Sequence, residues 1–133
     1  MTPVETVDKY LQDLDADWRS VASGEWGLTV ESAGWPLHIG MAWRKGMLRA
    51  QAEVLAADEV SDHELLYRNR GLVLVRYAHT GAGVVWVHGE LPEELVTPAW
   101  LDRLLGALVD AANVARERAK AGSATSPPAC APD

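Results

Sequence analysis

Between Trp26 and Leu55 the chain alternates with a period of two, and that spacing admits a sheet with one face buried and one in water. In the run from Leu37 to Trp43 the odd positions Leu37, Ile39, Met41 and Trp43 are apolar. The even positions His38, Gly40, Ala42 and Arg44 are small or polar. After Lys45-Gly46 the alternation resumes, with Leu48, Ala50, Ala52 and Val54 on one side and Arg49, Gln51 and Glu53 on the other. Trp26, Leu28 and Val30 form an earlier alternating run, separated from the next by the turn signal Gly34-Trp35-Pro36. Three consecutive antiparallel strands follow, each hydrophobic toward a core and polar toward solvent.

The flanking segments read as helices. Thr2-Pro3-Val4-Glu5 joins an N-cap threonine, a proline at the first helical position and a glutamate three residues after the cap, the spacing of a capping box. Val7, Leu11, Leu14, Trp18 and Val21 then recur at three and four, which predicts a helix as far as Ser23-Gly24. Ser61 and Glu64 repeat the capping spacing and predict a short helix stopped by Gly71. Leu72 to Tyr77, apolar until Arg76, reads as a central strand covered on both faces, and Thr80 to Gly83 as a hairpin turn into Val84 to His88. Leu91 to Leu95 resembles one helical turn. Thr97-Pro98 opens a last helix with Leu101, Leu104, Leu105, Leu108, Ala112 and Ala115 on one side.

These elements predict an α+β two-layer domain over residues 1–121, one five-stranded antiparallel sheet packed with helices in the order α-β-β-β-α-β-β-α. Residues 122–133, rich in Pro, Ala and Ser and without periodicity, are expected to be a disordered tail. The formal charge is −7, and the imbalance lies in residues 1–64, where twelve acids face five bases. A field of that sign opposes nucleic-acid backbones at long range. The single cysteine, Cys130, excludes an intramolecular disulfide, and the start of the chain lacks the basic and apolar regions of a secretion signal. A cytoplasmic protein without a membrane span is expected.

Catalytic chemistry is not written into the residues. The four histidines, His38, His63, His79 and His88, show no zinc-helix spacing, and Asp13, Asp15 and Asp17 lack the glycine and the distal glutamate of a calcium loop. Gly81-Ala82-Gly83 joins two strands and opens no helix, so it is no phosphate loop. No catalytic residue, metal site or cofactor is expected, and the reading is not an enzyme. What remains is binding. Trp26, Trp35 and Trp43, if they reach the surface, are natural partner anchors. Tyr67, Arg68 and Arg70 form the densest polar and aromatic cluster. With Arg76 they raise an alternative, a local nucleic-acid site.

Three short segments carry a family resemblance: Gly34-Trp35-Pro36-Leu37, the run Glu64-Leu65-Leu66-Tyr67-Arg68-Asn69-Arg70, and Gly89-Glu90-Leu91-Pro92. With the order of elements over residues 2–120, they resemble the YbjN-like proteins, whose fold is similar to that of type III secretion chaperones. The resemblance implies a small cytoplasmic homodimer that binds another protein, with a regulatory or stress-response role. The family has no defined active site, so no catalytic residue carries over.

Overall fold

The computed structural model describes residues 1–125, with side chains through Gly122. It contains α1 (Pro3–Asp13), β1 (Asp17–Ala22), β2 (Glu25–Ser32), β3 (Trp35–Arg44), β4 (Met47–Leu55), α2 (Asp62–Asn69), β5 (Val75–His79), β6 (Val85–Pro92), a 3₁₀ turn (Glu93–Leu95) and α3 (Pro98–Thr125). The sheet is antiparallel throughout, with six strands in the order β1-β2-β3-β4-β6-β5. The expected α+β architecture stands. The expected five strands and their order do not.

The extra strand comes from the first helix, which stops at Asp13 instead of continuing to Val21. Its N-terminus is the full capping box, with Thr2 and Glu5 bonded reciprocally. At the other end Asp13 and Asp15 stand by the negative pole of the helix dipole, and the last turn holds no basic residue. Aspartate is also a poor helix former, so ending the helix is cheap there. Trp18 and Val21, read as helical, instead lie in β1, which pairs with β2 around Ser23-Gly24.

The β2–β3 and β3–β4 hairpins close through Ala33-Gly34 and Lys45-Gly46, where all four residues have positive φ, as twist-matched two-residue hairpin turns require. Trp35 therefore opens β3, paired with Ser32, and is not part of the turn. The run Leu72 to Tyr77 is not a central strand: β5 begins at Val75 and lies at the edge of the sheet. Leu91 belongs to β6, with the 3₁₀ turn following it.

One face of the sheet carries the core. Leu37, Ile39 and Met41 of β3, Leu48, Ala50 and Ala52 of β4 and Val85, Val87 and Leu91 of β6 are buried with Leu101, Leu104, Leu105, Leu108, Ala112 and Ala115 of α3. α1 adds Val7 and Leu11. The other face, with His38, Arg49 and Arg76, is open, so the protein has two layers. α3 runs on through residues 122–125, so the boundary expected at 121 falls inside a helix. Residues 126–133, including Cys130, lie outside the described residues.

Arg116 pins the far end of α3 to the sheet. Its Nε donates to the Val54 carbonyl at 3.0 Å, and its Nη1 lies 3.1–3.3 Å from the carbonyls of Ser32, Trp35 and Pro36. Nearby, the buried Ser32 hydroxyl donates to Asn113 at 2.6 Å. Closest approach occurs at Gly89, where a Cβ would sit 2.6 Å from Leu104 Cδ1, 2.8 Å from Val75 Cγ1 and 2.9 Å from the Leu74 carbonyl oxygen. Gly40, on the open face, has nothing within 4 Å of that position. Gly89→Ala is therefore expected to destabilise by about 1–3 kcal/mol through overpacking, whereas Gly40→Ala stabilises by roughly 0.5–1 kcal/mol. Urea unfolding of the two variants checks the opposite signs.

Candidate partner-binding surface

The tryptophans separate into core and surface. Trp26 is only 2% exposed and donates its indole N–H to Asp8 at 2.7 Å, tying α1 to the sheet, so it cannot anchor a partner. Trp43 is half-buried against the core. Trp35 is 66% exposed and stands beside Pro36, Arg116 and Lys120 at the end of the sheet. Of the three candidates, it alone is chiefly a surface residue.

Tyr67, Arg68 and Arg70 come together on α2 and the residues that end it. They form one wall of an open groove of about 710 Å³, whose other walls are Leu72, Val73 and Val75 before and in β5, and Ala107, Asp110, Ala111 and Val114 on α3. Tyr67 is 67% exposed and Val73 is 73% exposed; Leu66 and Val114 are exposed as well. Such a cluster of large apolar side chains beside a sheet edge is the pattern of an interaction surface. Sequence reasoning missed Val73 and Val114. The apolar run containing Val73 reads as buried strand, and Val114 lies off the buried stripe of α3, where a single exposed valine carries no periodic signal.

The basic cluster is divided between two faces of the protein. Arg68 is paired with Glu64 at 2.9 Å, and Arg76 points to the open face of the sheet and pairs with Glu90 at 2.9 Å. Tyr77 is buried and donates its hydroxyl to the Ala111 carbonyl at 2.7 Å. Burial raises its pKa, which keeps the donor protonated. Arg76 is thus removed from Tyr67 and Arg70, and the two paired guanidiniums already have anions.

Two local devices hold α2 against the edge. Ser61 caps its N-terminus by accepting from the Glu64 amide at 3.2 Å, but the Glu64 carboxylate does not complete a capping box. It accepts from Arg68 and, across to α3, from Arg118 at 3.0 Å. Asn69, in the last turn, then works as a substitute strand. Its Nδ2 donates to the Tyr77 carbonyl at 3.0 Å, and its Oδ1 accepts from the Tyr77 amide at 2.7 Å. The free edge of β5 is blocked at that point, which guards against edge-to-edge pairing.

At the opposite end of the helical layer, the Tyr10 hydroxyl donates to Asp102 at 2.5 Å and joins α1 to α3. Burial and the neighbouring carboxylate raise its pKa. His88 lies on the open face, where partial burial and then Arg76 and Arg49 lower its pKa. Among the described residues no group of three or more His, Cys, Asp or Glu side chains could hold a metal ion, and no helix is long and apolar enough to cross a membrane.

The antiparallel sheet with its helices on one face is a type III secretion chaperone-like fold. It superimposes on a chain of the ExsC–ExsE complex with a TM-score of 0.66 at 15% identity, covering 88% of this chain and 96% of that one. The HopA1–SchA chaperone–effector complex gives 0.64 at 12% identity, over 85% and 91% of the two chains. The ExoU–SpcU complex from the type III secretion system of Pseudomonas aeruginosa gives 0.61 at 15% identity, over 84% and 96%. At these identities the likeness is one of fold. No protein-family model and no curated protein matches the sequence.

The Arg68 hydrogen bond holds the Glu64 carboxyl below its usual range against the opposing effect of burial, and Arg118 adds to the lowering. A carboxylate with a lowered folded pKa stabilises above its ordinary pKa of 4.5 and loses that contribution as the pH falls through the folded value. Glu64→Gln is expected to be less stable than the native protein at pH 7, with the difference closing below pH 4.5, as measured by denaturation across pH. Asn69→Ala leaves the Tyr77 amide and carbonyl without their partner and is expected to cost about 1–2 kcal/mol. Faster hydrogen exchange at the Tyr77 amide would locate the effect.

Proposed function

We propose that the protein is a non-enzymatic, chaperone-like adaptor that binds a protein partner and works as a homodimer in the cytoplasm. The observation that carries this reading is the open groove at the α2–β5–α3 corner, with Tyr67, Val73 and Val114 exposed around it. Its support from outside the chain is the fold shared with chains of the HopA1–SchA chaperone–effector complex and of the type III secretion chaperone SycH in complex with a fragment of YscM2. The kinship with YbjN-like proteins, and the stress-response role it implies, belong to the same proposal and rest on the segments at 34–37, 64–70 and 89–92.

The groove suits a second copy of the chain. It carries both signs of charge, Arg70 on the α2 side and Asp110 on the α3 side, so a two-fold neighbour would set Arg70 of each copy toward Asp110 of the other, while Arg68 keeps its pair with Glu64. Large apolar groups at the centre supply the contact that such an interface requires. The second copy covers the groove, and Trp35, beside Arg116 and Lys120 one to two turns further along α3, stays outside that contact.

Light scattering on a size-exclusion column tests the reading. The native chain is expected to elute with the mass of two chains, and Val73→Glu with the mass of one, at unchanged circular dichroism. Because Val73 is 73% exposed, the charge does not enter the core. A native protein that remains a single chain at every accessible concentration would overturn the dimer.

A further inference from the structure

Leu74 is the one bulky apolar residue with a left-handed backbone among the described residues, at φ +70°. For an L-residue that region costs a factor of roughly 5–30 in equilibrium. Ala33 and Lys45 adopt it inside two-residue hairpin turns, where the turn requires it. Leu74 lies in no hairpin and immediately precedes β5. Such an outlier persists only where its surroundings over-determine it.

Those surroundings are two fixed points. The end of α2 holds the chain as far as Leu72, because the Gly71 amide donates to the Arg68 carbonyl at 3.0 Å and the Leu72 amide to the Asn69 carbonyl at 3.2 Å. Val75 is already paired with Gly89 of β6. Val73 and Leu74 alone make the passage between them. Gly89 leaves room for the result, since a Cβ there would sit 2.9 Å from the Leu74 carbonyl oxygen.

The consequence is an inverted phase. In β5, Val75 and Tyr77 are buried and Arg76 is exposed. An unbroken strand would carry Val73 to the buried face, opposite Leu91 of β6, and turn Leu72 and Leu74 toward the open face. β6 runs on to Pro92, so a strand for such an extension to pair with is present. The opposite arrangement is found. Leu72 and Leu74 are half-buried against the core, and Val73 stands 73% exposed in the groove.

We infer, on the reading of the groove as the dimer contact, that Leu74 is a positioning residue: its left-handed backbone sets the phase that turns Val73 outward to meet the second copy. A residue that excludes this backbone returns the segment to the phase of β5 and withdraws Val73 from the groove.

The position of residue 73 can be read by thiol labelling. Val73→Cys is made together with Cys130→Ser, which leaves one thiol. Its reaction with Ellman's reagent is followed at a dilution where the mass is that of one chain. With Leu74, or with Leu74→Gly, which takes positive φ freely, the thiol is expected to react as an exposed one. Leu74→Ile keeps the volume, but its branched Cβ disfavours the left-handed region, and labelling is expected to slow by roughly fivefold or more. With Val73 in place, Leu74→Ile is expected to elute as one chain at concentrations where Leu74→Gly elutes as two. Equal labelling of the Leu74 and Leu74→Ile proteins would overturn the inference. Slowed labelling in Leu74→Gly would overturn it as well, and that arm still decides should Leu74→Ile fail to fold. Labelling as expected in a protein that never dimerises supports the role of Leu74 and overturns the dimer alone, because the thiol is read on single chains.

Discussion

The sheet has one apolar face and cannot exist in water without a cover, and α3 is the cover. Leu101, Leu104 and Leu108 are fully buried against it, and Ala111, Ala112 and Ala115 let the helix approach closely where large side chains would hold it away. The sheet yields to the helix at Gly89, where the absence of a side chain admits Leu104. At mid-length the buried Tyr77 hydroxyl reaches an α3 carbonyl, and at the far end Arg116 gathers four carbonyls from β2, β3 and β4. The helix is thus fixed in position as well as in depth, since apolar packing alone is not directional and the hydrogen bonds are.

Both candidate surfaces depend on that placement. α2 is short, and it is joined to the rest by the buried Leu65, by an ion pair from Glu64 to Arg118 of α3 and by the Asn69 amide at the edge of β5. The groove between α2, β5 and α3 is therefore a by-product of how α3 crosses the sheet. The same crossing brings Arg116 and Lys120 under Trp35. A single helix thus organises two surfaces, one between α2, β5 and α3 and one beside the exposed Trp35 indole.

The period-two run was readable because alternation has one structural meaning when one face is buried, and β2, β3 and β4 lie where it puts them. The capping signals at Thr2 and Ser61 mark helix starts for a similarly local reason. Trp18 and Val21 misled because a three-four spacing competes with helix-ending aspartates, and the deciding term, pairing with β2, is not local. Leu72 to Tyr77 misled because an apolar run looks the same whether its strand is central or at an edge with Val73 left outside. Among the binding candidates, Tyr67, Arg68 and Arg70 do share one groove, whereas Trp26 is core and Trp43 half-buried.

The sequence alone determined the one-sided sheet and the helix that covers it, because hydrophobic period and capping chemistry act over a few neighbours. The tertiary structure decided the sixth strand, the edge position of β5, and which aromatic groups meet water. Those outcomes turn on pairing and packing between residues far apart in the chain. A tryptophan at position 26 and one at position 35 are equivalent as letters. They differ because the first lies over α1, with Asp8 to accept its N–H, and the second opens a strand where the sheet has run out of cover.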